Sequence, residues 1–256
     1  MIKYIRQFVN TIGTFFDVPS FIRENQLWRG FVNHKLVVFA LLVAGAIFSW
    51  HIIGLADKWW SNLHVEDPLE AGLQATYLVR DIAVGSYEFM FAGAYKYIVL
   101  IIMEMVIFHM TLKTHSILDG STPDLSAGIF FHAQLRMIKV SIFTFVMELI
   151  VSIILKMILS ILGLDFLKAI LLFLTQCFFL GFAMVDNYNE IHNLPIRESY
   201  KHTLNFAGVA VGIGLIMYIL ILIPIIGPFA GPLVGAIAAT LIMHELEGGS
   251  TEEIMV

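Results

Sequence analysis

The sequence predicts an all-α integral membrane protein made of two long transmembrane helices and two helical hairpins, the C-terminal hairpin re-entrant. Three observations carry that expectation. The 256 residues are 59% hydrophobic and only 14% charged, with a mean hydropathy of +0.84, a composition suited to lipid and not to water. The polar residues collect between long apolar runs. The last of these runs, residues 206–243, carries no charge and is interrupted by Pro224, Pro228 and Pro232 interleaved with Gly227, Gly231 and Gly235. A chain that turns or unwinds inside an apolar run tolerates lipid depth only within protein or beside a cavity, because no water is there to satisfy freed backbone groups.

The elements follow in order. Residues 1–16 place Ile2, Ile5, Phe8, Ile12 and Phe15 against Lys3, Arg6, Gln7 and Asn10 at helical spacing. That pattern predicts an amphipathic helix lying in the membrane interface or packed on the protein's own cytoplasmic face, and it lacks the unbroken apolar core of a cleavable signal peptide. The first span covers 36–55 between Lys35 and Asp57, with Trp50, Trp59 and Trp60 as an aromatic anchor. After a polar loop containing Glu66, Asp67 and Pro68, a helical pattern runs over 69–112 and enters the membrane near Phe89.

A third region, 140–185, reads as two apolar arms about Gly163, Leu164 and Asp165. A polar connector, 186–205, follows, with Pro195 and Glu198 marking the start of a helix. In the final region the first arm, 206–223, reaches roughly 27 Å as a helix and the second, 233–243, only about 16 Å. That inequality predicts a hairpin that enters and leaves on one side, with Gly-Pro pairs starting a half-helix at its buried tip. The other reading is two spanning helices joined near the headgroups, their small residues serving close packing. Residues 1–246 thus form a single membrane domain, and 247–256 a short acidic tail.

Charge asymmetry sets the orientation. Lys3, Arg6, Arg23, Arg29 and Lys35 precede the first span, and Lys113, Arg136, Lys139, Arg197 and Lys201 share its side, whereas the opposite loop holds Lys58 and Arg80. The N-terminus is therefore expected in the cytoplasm.

Several function classes find no support. The basic residues are scattered and the net charge is −5, so nucleic acid is not an expected partner. Cys177 is the single cysteine, which excludes an internal disulfide. His244-Glu245 lacks the second histidine of a zinc-protease motif, and His109 and His115 fall on different helix faces. No metal site, cofactor or enzyme activity is expected.

Charges inside the apolar runs are the candidate functional residues: Lys96, Glu104, Glu148 and Lys156, with Lys168 just past the hairpin tip. An ionisable group at the bilayer centre costs about 2.5 to 3.5 kcal/mol on insertion scales, so such groups face partners or polar cavities. Glu104 with Lys156 and Lys96 with Glu148 are the expected couples, set against lysines that snorkel to the interface. For an anion, the candidates are Arg29 and the backbone amides at Gly227 and Gly231, where a half-helix would begin. Positive-inside charge accounts for Arg29 equally well.

Leu180-Gly181-Phe182, a polar connector, and an apolar run with Ile223-Pro224, Gly231-Pro232, Gly235-Ala236 and Ala239-Thr240-Leu241 resemble the C-terminal region of the CysZ sulfate-permease family and the related etoposide-induced membrane proteins. Leu27-Trp28-Arg29 stands where that family has a Gly-Leu-Arg-type motif associated with sulfate, with Trp28 between Leu and Arg. The resemblance implies a bacterial inner-membrane protein that forms homo-oligomers and moves sulfate inward. The expected function is a permease or channel for a small anion, with a non-transporting scaffold whose hairpins sit in one leaflet as the alternative.

Overall fold

Helices account for all the regular structure among the described residues of the computed structural model, which are 2–27, 95–122, 126–221 and 227–252 together with isolated helical positions between 35 and 80. They are α1 (Ile2–Glu24), α2 (Tyr95–Asp119), α3 (Ala127–Ile161), α4 (Asp165–Ile191), α5 (Ile196–Asn205), α6 (Ala207–Ile221) and α7 (Gly227–Glu252). Among the described residues four stretches are long and apolar enough to cross a membrane: Lys96–Asp119, Ala127–Ile161, Asp165–Ile191 and Phe229–Gly248. The chain is an all-α membrane protein. The expected first span and Arg29 lie outside the described residues, isolated positions aside.

One backbone device ends four of these helices. Gly120, Gly163, Asn193 and Gln26 all have positive φ, at 65°, 65°, 58° and 50°. In each case the next residue donates its amide back to a carbonyl in the last turn: Ser121 to Ser116 (2.9 Å), Leu164 to Leu159 (2.9 Å), Leu194 to Asn189 (3.0 Å) and Leu27 to Ile22 (3.2 Å). Left-handed caps of this kind satisfy carbonyls that a helix end would otherwise leave open, and they suit glycine and asparagine best. The break expected at 163–165 is therefore a closed turn between two antiparallel helices.

The C-terminal arms differ from expectation. Residues 227–252 form one 26-residue helix, about 39 Å long, while α6 has 15 residues, about 22 Å. The second arm is the long one because its helix extends past both ends of the charge-free stretch 233–243. Pro228 occupies the first turn, where its missing N–H breaks no hydrogen bond, and the helix continues through Glu245 and Glu247, since charge does not interrupt a backbone ladder. The tail expected from residue 247 is thus helical to Glu252. Likewise α4 carries on through Asp186 to Ile191, so the polar connector shrinks to residues 192–195. There Pro195 does stand at the N-cap of α5 and Glu198 in its first turn. The α5 and α6 axes meet at 93°.

The first helix runs to Glu24, past the expected end at residue 16, and carries Pro19 inside it. Its inward face is mixed: Gln7, Thr11, Thr14, Phe15 and Val18 are buried, while Ile2, Ile5, Val9 and Phe16 are exposed. Thr11 donates to the Gln7 carbonyl (2.8 Å) and Gln7 to the Asn205 carbonyl (2.9 Å). Packing against α6, where Gly208 brings the chain up to Tyr4, is what selects that face.

Candidate functional site

Charged and polar groups converge where α2, α3 and α4 pack together. A connection of only seven residues, 120–126, joins α2 to α3, so the two run antiparallel, and the Gly163 turn does the same for α3 and α4. Each level of the bundle therefore brings together residues whose numbers have a nearly constant sum.

At one level Lys96 is 1% exposed, with its Nζ 2.6 Å from both carboxylate oxygens of Glu148. The Tyr97 hydroxyl donates to the other side of the same carboxylate. The Tyr97 ring lies edge-on to Phe145 (6.1 Å), which holds the phenol in place. A half-buried carboxylate with an ammonium and a phenol donor has its charge compensated and its lone pairs occupied. Tyr97→Phe is expected to destabilise the protein by about 1 to 3 kcal/mol, because a half-buried charged acceptor loses a donor without any change in backbone; chemical unfolding in mixed micelles measures it.

Eight residues along α2, Glu104 is also 1% exposed. Neither carboxylate oxygen makes a hydrogen bond among the described residues. The Asn187 carboxamide stands close by; its Nδ2 gives one hydrogen to the Ala183 carbonyl (3.1 Å) and keeps a second on the same nitrogen. The charged neighbours of Glu104 are Glu190, Asp186 and Arg136.

Those three form the second cluster. Arg136 grips Asp186 with two parallel bonds, Nε to Oδ2 and Nη2 to Oδ1, both 2.9 Å. Its Nη1 donates to the Leu194 carbonyl (2.8 Å), an acceptor presented by the left-handed cap at Asn193. Glu190 Oε2 lies 3.5 Å from Arg136 Nε, and His132 Nδ1 donates to Glu190 Oε1 (3.1 Å). Ser199 of α5 completes the shell with a 2.5 Å bond to Asp186. Asp186 and Glu190 are one turn apart on α4, and His132 and Arg136 one turn apart on α3, so both pairs lie on facing stripes.

The expected residues thus divide. The structure brings Lys96 and Glu148 together, whereas Glu104 and Lys156 do not meet: Lys156 is exposed on the outer arm of α3, and Glu104 lies level with Arg136. The antiparallel packing requires this, since Lys156 is 20 residues, about 30 Å, farther along α3 than Arg136. Lys168 closes on Asp165 (2.5 Å) and Ser160 (2.6 Å) at the hairpin tip. Gly227 and Gly231 occupy the buried first turns of α7, and Arg29 lies outside the described residues. Arg136, Asp186 and Glu190 are not expected as site residues from the sequence, because hydropathy puts them in loops between the apolar runs.

The chain matches no known family model, no curated protein and no solved structure.

Proposed function

We propose that this chain is a membrane permease that carries a small anion together with a proton, sulfate being the first anion to test. The observation that carries the reading is Glu104, a buried carboxyl group without a hydrogen bond among the described residues. Ionisable groups inside a membrane bundle are expensive to keep, and they recur in ion pathways and proton relays. A purely structural ion-pair network has no use for this third carboxylate beside Asp186 and Glu190. The two clusters between α2, α3 and α4 set Glu104, Glu148, Asp186 and Glu190 against Lys96 and Arg136, so an anion passing between these helices alone meets excess negative charge. A proton taken up on Glu104 removes part of that excess.

The likeness to the CysZ family supports the anion class. Its proposed contacts are Arg29 and the α7 amides near Gly227 and Gly231, where a helix N-terminus favours negative charge. In this reading the protein sits in the bacterial inner membrane with its N-terminus in the cytoplasm and works as a homo-oligomer.

Uptake of radiolabelled sulfate into proteoliposomes tests the proposal. An inside-alkaline pH gradient is expected to accelerate uptake by the natural protein, and Glu104→Gln to abolish that acceleration. If neither sulfate nor another small oxyanion enters faster than into empty vesicles, the permease reading fails. One observation favours the scaffold alternative: Leu149, Ile153, Met157, Ile161 and Phe166 of the α3–α4 hairpin present uncovered apolar side chains, which lipid or a partner could cover without any pore. Absence of flux from a folded, membrane-inserted protein selects it.

A further inference from the structure

Three helices bring an unusual collection of side chains together. His115 and Asp119 sit one turn apart at the end of α2, His244 lies in the last third of α7, and His192 caps α4. One ligand-capable atom each from His115, Asp119 and His244 falls within 4.8 Å of the others. Asp119 bridges the two histidines, with Oδ2 3.1 Å from His115 Nε2 and Oδ1 3.6 Å from His244 Nδ1. Ligands held at zinc distances around a tetrahedron stand about 3.3 to 3.5 Å apart, so the two Asp119 separations come within a few tenths of an ångström of that spacing.

The surroundings fit as well. His115 Nδ1 is buried and makes no hydrogen bond among the described residues. The His192 ring centre is 5.1 Å from that of His115, and His192 donates Nδ1–H to the Tyr188 carbonyl (2.9 Å). That bond fixes its tautomer and leaves Nε2 with a lone pair, the arrangement commonly found behind metal-binding histidines. Asp119 and His244 are both more than a third exposed, which gives an ion a path in.

We infer that His115, Asp119 and His244 form a binding site for a divalent transition metal of the zinc type, with His192 beside His115. Two imidazoles and a carboxylate are borderline ligands suited to zinc, and they leave a fourth position open to water. A bound ion ties the end of α2 to α7, the helix that begins at Gly227. The site lies outside the Glu104 cluster, so it stands or falls independently of transport.

The test uses the full chain, purified in detergent without a histidine tag and stripped with chelator. Titration calorimetry with Zn²⁺ alone is expected to show one ion per chain. Replacing His115→Ala or His244→Ala is expected to weaken binding on the order of a hundredfold, since each removes a ligand outright. Replacing the exposed His132→Ala is expected to leave it unchanged. Should a variant fail to fold, chemical modification of the natural protein answers the same question: Zn²⁺ is expected to protect His115 and His244, and not His132, from carbethoxylation read by mass spectrometry. Absence of stoichiometric binding, or binding and protection indifferent to these residues, overturns the site.

Discussion

Replacing Arg136 by Ala is expected to destabilise the protein by about 3 to 5 kcal/mol, the usual loss when one partner of a buried ion pair is removed and the other remains. The guanidinium is 11% exposed and Asp186 3%, so water cannot take over its role. Among the described residues Asp186 would keep only Ser199, Glu190 only His132, and the Leu194 carbonyl would lose its side-chain donor. Arg136→Lys is expected to recover only part of the loss, because an ammonium cannot make the two parallel bonds to Asp186 and also reach Leu194. The double replacement Arg136→Leu with Asp186→Leu separates charge from packing. It removes both members together and is expected to be milder than Arg136→Ala alone. Unfolding in mixed micelles, followed by circular dichroism, reads all three. A loss below about 1 kcal/mol for Arg136→Ala would mean that Asp186 and Glu190 reach water or other partners.

Much of this cluster is legible in the sequence, in a form that hydropathy taken span by span does not reveal. Arg136 and Asp186 lie equally far from residue 161, and so do His132 and Glu190. That mirror symmetry about the Gly163 turn is what antiparallel neighbours produce, and the one-turn spacing within each pair puts both on facing stripes. The same rule exposes the inconsistency in the expected couples. Lys96 with Glu148 and Glu104 with Lys156 share a constant difference of 52, which suits parallel helices, whereas the short 120–126 connection makes α2 and α3 antiparallel. Only one couple could form.

Local chemistry is the most readable level. Gly163, Pro195 and the Pro228 start of α7 act as their intrinsic backbone preferences dictate, and the apolar runs mark the membrane helices. Helix ends in polar sequence are less readable, because α4 and α7 extend their hydrogen-bond ladders well past the last apolar residue. The histidine cluster is beyond reach of spacing rules: His115, His192 and His244 come from three helices, and only tertiary packing makes them neighbours.

A valine at Gly181 is expected to cost more than about 3 kcal/mol and to prevent α4 and α6 from docking, since overpacking against a backbone cannot be relieved by a side-chain rotation. A Cβ at Gly181 would stand 1.8 Å from the Ala210 carbonyl oxygen, and one at Gly214 would stand 1.9 Å from the carbonyl oxygen of Cys177. The two glycines are reciprocal: each helix offers one to the other's main chain, and small residues of this kind let membrane helices approach closely where lipid gives apolar side chains no reason to associate. Even Gly214→Ala is expected to be strongly destabilising, because its single methyl group already overlaps a carbonyl. Gly13→Ala is the control. Its Cβ meets nothing within 4 Å, and alanine is the better helix former, so that replacement is expected to be neutral or stabilising by about 0.5 to 1 kcal/mol. Because α4 also carries Asp186 and Glu190, loosening its contact with α6 should be felt at the ion cluster too. Combining Gly181→Val with Arg136→Ala is therefore expected to cost less than the sum of the separate losses, the signature of two replacements acting on one packed unit. Strict additivity would show instead that the glycine crossing and the charged cluster are held independently.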